Sequence, residues 1–211
     1  MAEILLECQQ IALERGGRRL FAGLSLTVKS GDLLLIRGDN GSGKSSLIKM
    51  LSGILQPASG QMCYNGTQVK KNSIYHQQVI YIGHETALYP HLTVEDNISF
   101  WAKLHGYPQL ADIAMHYFQL EPYRYIRCEE LSAGWQKRVA LTRLITIPRP
   151  CWFLDEPTVN LDQQGIVLVE SLIRTRQEKG GLIIMASHIP SHDIDIKEIN
   201  INNLNKEAKV N

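Results

Sequence analysis

Apolar and polar positions change period several times along the chain, and those changes predict an order of elements. Leu20-Phe21-Ala22-Gly23-Leu24-Ser25-Leu26-Thr27-Val28 alternates with the two-residue period of a half-buried strand. Ile4 to Cys8 and Ile11 to Glu14 predict two shorter strands before it, the second ending at the turn Gly16-Gly17. Leu33-Leu34-Leu35-Ile36-Arg37 is apolar without alternation, as expected of a strand covered on both faces. Val79 to Gly83, Cys151 to Glu156 and Leu182 to His188 read the same way. Gln61 to Tyr64 and the stretch around Val69 predict edge strands joined by Asn65-Gly66, a hairpin signal.

Helical spacing takes over between these runs. Ser46 to Leu51 predicts the start of a helix, and Val94, Ile98, Trp101 and Leu104 recur at helical intervals behind Thr93, a predicted N-cap. Ser132 is placed to cap a helix carrying Val139, Ala140, Leu141 and Leu144, which stops at Pro148. Gln163 to Gln177 predicts another helix. Ile194 to Leu204 alternates weakly and predicts one or two last edge strands, before a polar tail from Asn205. Strands alternating with helices predict an α/β fold with a mostly parallel core sheet and an N-terminal antiparallel β layer. The expected organisation is a single domain over 1–211, with a helical subdomain inserted at about 95–145. Phe100, Trp101 and Leu104 in that subdomain are either core or docking surface.

One glycine-rich run falls where a buried strand should turn into a helix. Gly38-Asp39-Asn40-Gly41-Ser42-Gly43-Lys44-Ser45 matches the phosphate-loop pattern G-x-x-x-x-G-K-[ST]. Strand, loop and helix in that order let successive backbone N–H groups wrap phosphates at the positive end of a helix. Lys44 would bring a cation to the terminal phosphates and Ser45 an oxygen to Mg2+, with Ser46 next in the nucleotide-binding set.

Composition narrows the partners. The 22 basic and 21 acidic residues leave a net charge of +1, so nothing suggests a nucleic-acid footprint. Cys8, Cys63, Cys128 and Cys151 are scattered without a C-x-x-C pair, which predicts buried thiols in a reduced setting, without disulfides or zinc. The N-terminus carries acids where a signal peptide would carry bases. No apolar stretch reaches about 18 residues, so the chain is not expected to cross a membrane.

Ligands of open α/β sheets bind beyond the carboxyl ends of the strands. Gly38, Asp155, Glu156 and His188 all follow predicted strand ends, so separate segments would converge on one nucleotide. Asp155 would hold Mg2+ directly or through water. Glu156 would align or deprotonate an attacking water. Two acids at a strand end are otherwise ordinary surface; the loop upstream gives them this reading. His188 is expected at the same rim, against the γ-phosphate. His91, His105 and His116 have no metal-like spacing and read as ordinary.

Leu131-Ser132-Ala133-Gly134-Trp135-Gln136-Lys137-Arg138 resembles the signature segment of the ABC ATPase superfamily. With the phosphate loop, Asp155-Glu156-Pro157-Thr158, Asn160-Leu161-Asp162 and Ser187-His188, the resemblance spans almost the whole chain. It implies an ATP-hydrolysing domain working as a head-to-tail homodimer. Ser132 and Gly134 would then contact the γ-phosphate held by the opposite subunit, with Asp162 at the seam. Within the superfamily, the short chain without an extra C-terminal domain, Ala133 in the signature, and Tyr75-His76-Gln77-Gln78 followed by Tyr81-Ile82-Gly83-His84 resemble the cytochrome c biogenesis branch. That resemblance implies a peripheral ATPase on the cytoplasmic face of the inner membrane. Its integral partner would be CcmB, with CcmC and CcmD, and its work heme export or release of the heme-loaded chaperone CcmE. The alternative is the ATP-binding subunit of a transporter for another substrate.

Three positions depart from the superfamily pattern. His84 stands where Gln usually reports nucleotide state to the membrane partner and meets the metal-bound water; an imidazole can take that place and adds pH sensitivity. Arg15 stands near the place of an aromatic that stacks on adenine, and a guanidinium can also lie flat on a base. Trp135 replaces a usual Gln, leaving the Ser132 and Gly134 contacts available.

Overall fold

The computed structural model describes residues 4–187 and 196–207. The two strands predicted before Gly16 form a single one, β1 (Leu5–Arg15), paired antiparallel with β2 (Arg18–Lys29). The register shifts between Cys8 and Ile11, where Gln10 takes φ 50°. A bulge places an extra polar residue in a strand, so the exposed Gln9 and Gln10 mimic a break in the sequence pattern.

After β3 (Leu33–Arg37) comes the glycine run and α1 (Lys44–Leu51). β4 (Ser59–Tyr64) then pairs with the other edge of β1. Asn65 and Gly66 follow at φ 48° and 78°, the paired positive φ of a type I′ hairpin turn, as expected. Its second arm, β5 (Thr67–Gln68), is shorter than predicted. The stretch at Val69–Lys71 is a 3₁₀ turn that buries Val69, not a strand. α2 (Ser73–Gln78) escaped the sequence pattern, although Asn72 caps it, its Oδ1 accepting from Tyr75 N at 3.0 Å.

β6 (Val79–Ile82) leads to α3 (Val94–Leu104), capped as predicted by Thr93, whose Oγ1 accepts from Asp96 N at 3.1 Å. α4 (Leu110–Tyr117) follows. The helix predicted from Ser132 to Pro148 is two: α5 (Ala133–Leu141) and α6 (Arg143–Thr146). The break falls at Thr142, whose hydroxyl donates to Val139 O at 2.6 Å. β7 (Cys151–Asp155), α7 (Gln163–Glu178) and β8 (Leu182–Ala186) match expectation. The last segment does not. β9 (Ile196–Asn200) is one edge strand, and α8 (Ile201–Glu207) is a helix where further strand was expected. Ile201 is fully buried and Leu204 packs against the same core, a three-residue spacing that suits a helix face.

Two sheets result: β2-β1-β4-β5, antiparallel, and β6-β7-β8-β3-β9. β3 runs parallel to both β8 and β9, and β7 parallel to β8. β7 and β8 are buried along their whole length, which explains their unbroken apolar runs. Two compact units divide the chain. Met1–Tyr81, Pro150–Glu156 and Ile173–Asn211 form one, built on both sheets around a core that includes Leu6, Phe21, Ile36, Leu47, Phe153 and Ile184. Each such side chain contributes roughly 1.5–3 kcal/mol by burial. Ile82–Arg149 and Pro157–Leu172 form the other, which holds α3 to α6 as the inserted helical subdomain.

Candidate functional site

β3 delivers the glycine run at its carboxyl end, in the first unit. Gly38 has φ 151°, and a Cβ there would lie 2.7 Å from Ile201 Cγ2 and from Ser42 Oγ, so no side chain fits. Gly43 is left-handed at φ 106° and hands the chain to α1. Asp39, Asn40 and Gly41 form the exposed tip, tied by Ser42 N donating to Asp39 O at 3.1 Å. Lys44 folds back over the loop, its Nζ donating to Gly38 O at 2.7 Å and Asp39 O at 3.0 Å. It is 7% exposed, and among the described residues no carboxylate pairs with it. A buried cation held, among the described residues, by carbonyls alone suits an anion as its counter-charge. Ser42 Oγ is also buried without a hydrogen-bond partner among the described residues. Glycine backbone, unbalanced cation and orphaned hydroxyl together fit a phosphate chain.

The other first-unit residues gather round the same strand ends. Ser45 is exposed at the start of α1, whereas Ser46 is buried and its Oγ accepts from Arg15 Nη1 at 3.4 Å. That bond ties Arg15, at the end of β1, to the first turn of α1. Asp155 closes β7 and is 3% exposed. Glu156 follows at φ 50°, its N–H donating to Ala186 O at 3.0 Å at the end of β8. A left-handed non-glycine residue costs of order 1–3 kcal/mol, and such strain gathers where a side chain must be aimed. The hydroxyl of Ser45 and the carboxylate of Asp155 are hard oxygen donors suited to Mg2+, which takes its remaining ligands from phosphate and water. Among the described residues no three of His, Cys, Asp or Glu cluster as a metal site. His188 lies outside the described residues.

The second unit holds the remaining candidates. His84 is exposed just beyond β6. The segment after it is fastened by two residues the sequence pattern did not reveal. Asn97, fully buried on α3, accepts from Tyr89 N at 2.9 Å and donates to Tyr89 O and Thr93 O at 3.0 Å and to Cys128 Sγ at 3.1 Å. Arg143 donates to Thr86 O at 2.6 Å and to Ala140 O at 2.9 Å, and its guanidinium lies over the Trp101 ring. Burial pulls the Arg143 pKa down to about 10. The one signal available for Asn97 was its polarity inside the apolar stripe Val94, Ile98 and Trp101.

Ser132 caps α5, its Oγ accepting from Trp135 N at 3.5 Å. Gly134 has no room for a side chain, since a Cβ would lie 2.6 Å from Asn160 O. Ser132, Gly134, Trp135, Arg138, Asn160 and Asp162 line a cavity of about 160 Å³. Arg138 donates to Asp162 Oδ1 at 2.5 Å, which with the Gly165 N–H holds the Asp162 carboxyl below its ordinary pKa. All four cysteines are free; burial pushes the thiols of Cys8 and Cys151 up to about 12 and that of Cys128 to about 11.

A parallel sheet with a phosphate loop after β3, antiparallel N-terminal strands and an inserted helical subdomain define the P-loop ABC-ATPase fold. Residues 21–159 match the family model for "ABC transporter", and the chain belongs to that family as an ATP-binding, ATP-hydrolysing domain. It is closely related to the CcmA-type cytochrome c biogenesis ATPases. The cytochrome c biogenesis ATP-binding export protein CcmA of Wolbachia pipientis is 39% identical over 96% of this chain and 99% of its own length. CcmA of Rhodospirillum rubrum is 42% identical over 82% of this chain and 76% of its own. Among solved structures, an ABC transporter ATP-binding protein from Pyrococcus furiosus superposes with TM-score 0.81 at 23% identity, over 95% of this chain and 98% of that one. A dimeric ATP-binding cassette bound to ADP and Pi superposes with TM-score 0.76 at 19% identity, over 87% of this chain and 88% of that one. Among the described residues no helix is long and apolar enough to cross a membrane.

Proposed function

We propose that this chain is the peripheral ATPase subunit of a membrane complex in cytochrome c maturation, hydrolysing ATP at the cytoplasmic face of the inner membrane. Residues 1–211 act as a single ATP-binding domain with the helical subdomain at about 95–145. The observation that carries the ATPase reading is Lys44, a buried cation with no carboxylate partner among the described residues, folded over a loop made for phosphate. Similarity to CcmA supports the pathway. The work is heme export or release of the heme-loaded chaperone CcmE, with an integral partner resembling CcmB beside CcmC and CcmD.

In this reading Gly38 to Gly43 and Lys44 bind the phosphates, and Arg15 lies against the base. Ser45 and Asp155 would hold Mg2+, which would supply charge neutralisation at the phosphates, and His84 would meet its water shell. Glu156 aligns or deprotonates the attacking water, with His188 against the γ-phosphate. The water oxygen bonds to the γ-phosphorus, the bond to the β-phosphate oxygen breaks, and ADP leaves. Ser132 and Gly134 of the facing subunit complete the site of the head-to-tail dimer. Catalysis is positioning and electrostatic stabilisation rather than covalent chemistry.

The test is to purify the chain from membranes with its integral partner, identify that partner, and measure ATP turnover. A CcmB-like partner and turnover abolished by Glu156→Gln, with ATP binding kept, are expected. Undiminished hydrolysis by Glu156→Gln overturns the role of Glu156, and a permease of another kind overturns the pathway.

A further inference from the structure

The start of α5 is braced by an aromatic contact that the proposed function does not use. The Trp135 indole meets the Tyr123 ring, tilted by 43° with the centroids 4.3 Å apart, and the Arg138 guanidinium, 4.5 Å from the ring centre. Arg138 is 2% exposed and held in place by Asp162 Oδ1 at 2.5 Å and Phe118 O at 3.4 Å. Asp162 in turn accepts from Gly165 N at 2.9 Å, closing the first turn of α7. These contacts join three pieces of chain in one unit: the 3₁₀ turn Glu121–Tyr123, the first turn of α5, and the segment Asn160–Asp162. Ser132 and Gly134 sit on that same first turn, with the Asn160 carbonyl pressed against Gly134.

We infer that Trp135 is a positioning residue for ATP hydrolysis, fixing the direction in which Ser132 and Gly134 face the γ-phosphate of the opposite subunit. The inference rests on the head-to-tail reading above. The physical reason is the weakness of the cap itself. Ser132 Oγ accepts from Trp135 N at 3.5 Å, at the limit of a hydrogen bond, so the cap alone does not fix the turn. A Gln at position 135 would offer one face and a flexible stem. The indole offers a rigid ring that meets both Tyr123 and a cation that Asp162 already holds. Orientation of Ser132 is thus coupled to Asp162, so both groups expected at the dimer seam move together or not at all. Lys44 and the glycine loop bind the nucleotide from the other subunit and are untouched by this coupling. Loss of these contacts should therefore lower turnover and leave nucleotide affinity alone.

The test measures kcat and KM for ATP separately in the purified complex. For Trp135→Ala, kcat should fall about tenfold and KM stay within about twofold. Trp135→Phe, which keeps a ring beside Tyr123 and Arg138, should recover most of kcat; Trp135→Gln should not. Tyr123→Leu removes the ring contact with Trp135 intact, should lower kcat by a smaller factor, and serves if Trp135→Ala fails to fold. Unchanged kcat in both Trp135→Ala and Tyr123→Leu overturns the inference, as does a loss carried wholly by KM or equal losses in the Ala and Phe variants. A wild-type complex whose turnover Glu156→Gln abolishes, while these variants behave as wild type, removes this inference and leaves the ATPase reading standing. A wild-type complex without ATP turnover removes both.

Discussion

Two loops leave core strands of this molecule and are built by opposite means. The loop after β3 is shaped by its own backbone: Gly38 and Gly43 take conformations closed to other residues, and Lys44 folds onto carbonyls five and six positions away. The segment after β6 is shaped from outside. Asn97 grips Tyr89, Leu92 and Thr93, and Arg143 grips Thr86 from 57 positions further along. The first arrangement is local and rigid and suits a ligand of fixed geometry. The second can be released by moving a helix, which suits a segment that must report a change to a partner.

The sharpest way to break this contrast is Lys44→Ala. It removes the cation folded onto the loop while the glycine backbone stays in place. ATP affinity should fall by about a hundredfold or more, with the melting temperature nearly unchanged, because a buried charge without a carboxylate partner adds little stability. Affinity measured with a fluorescent ATP analogue that stays within a few-fold of wild type would show that the backbone alone binds the phosphates.

Asn97→Ala should do the reverse. It leaves Tyr89 N without its acceptor and takes a second donor from the carbonyls of Tyr89, Leu92 and Thr93, which keep one backbone partner each, and should cost about 1–3 kcal/mol of stability. A urea titration should show a lower midpoint at an unchanged slope, with ATP affinity preserved. A variant as stable as wild type would mean that the segment is ordered by something other than Asn97.

How far each loop could be read from sequence follows from the same contrast. Gly38 to Ser45 was legible because its left-handed and crowded backbone positions admit few residue types other than glycine. The apolar runs of β3, β7 and β8 were legible because burial on both faces leaves no polar position to misplace. Gln10 disguised β1 as two strands, and α8 was hidden because the weak alternation of β9 runs on into Ile201 and Leu204, two apolar positions too few to set a helical period. Asn97, Arg143 and the Trp135–Arg138–Asp162 contacts were not legible, because each depends on a partner brought close by folding rather than by spacing. The left-handed turn at Glu156 carries no sequence mark at all, since glutamate is not a residue that favours it.

His84→Ala probes the externally held segment more gently. With the fastening by Asn97 and Arg143 intact, stability and ATP affinity should stay as in wild type. Stimulation of turnover by the membrane partner should drop about three- to tenfold, the scale of a coupling free energy near 1 kcal/mol. Equal stimulation of variant and wild type would remove His84 from the coupling path.

The smallest expected effect tests the edge of the first loop. Arg15 is held to Ser46 at 3.4 Å, so its guanidinium is tied to the first turn of α1 rather than offered only as a stacking surface. In the proposed place against the base, a guanidinium fixed in this way would lie on adenine and guanine alike and select between them weakly. Arg15→Tyr exchanges that contact for an aromatic face and releases Ser46. Discrimination between ATP and GTP, measured as the ratio of kcat/KM, should rise by about threefold, a difference of well under 1 kcal/mol. Strong preference for ATP in the wild-type chain, unaltered by the substitution, would place base recognition elsewhere and leave Arg15 as a fastening for α1 alone.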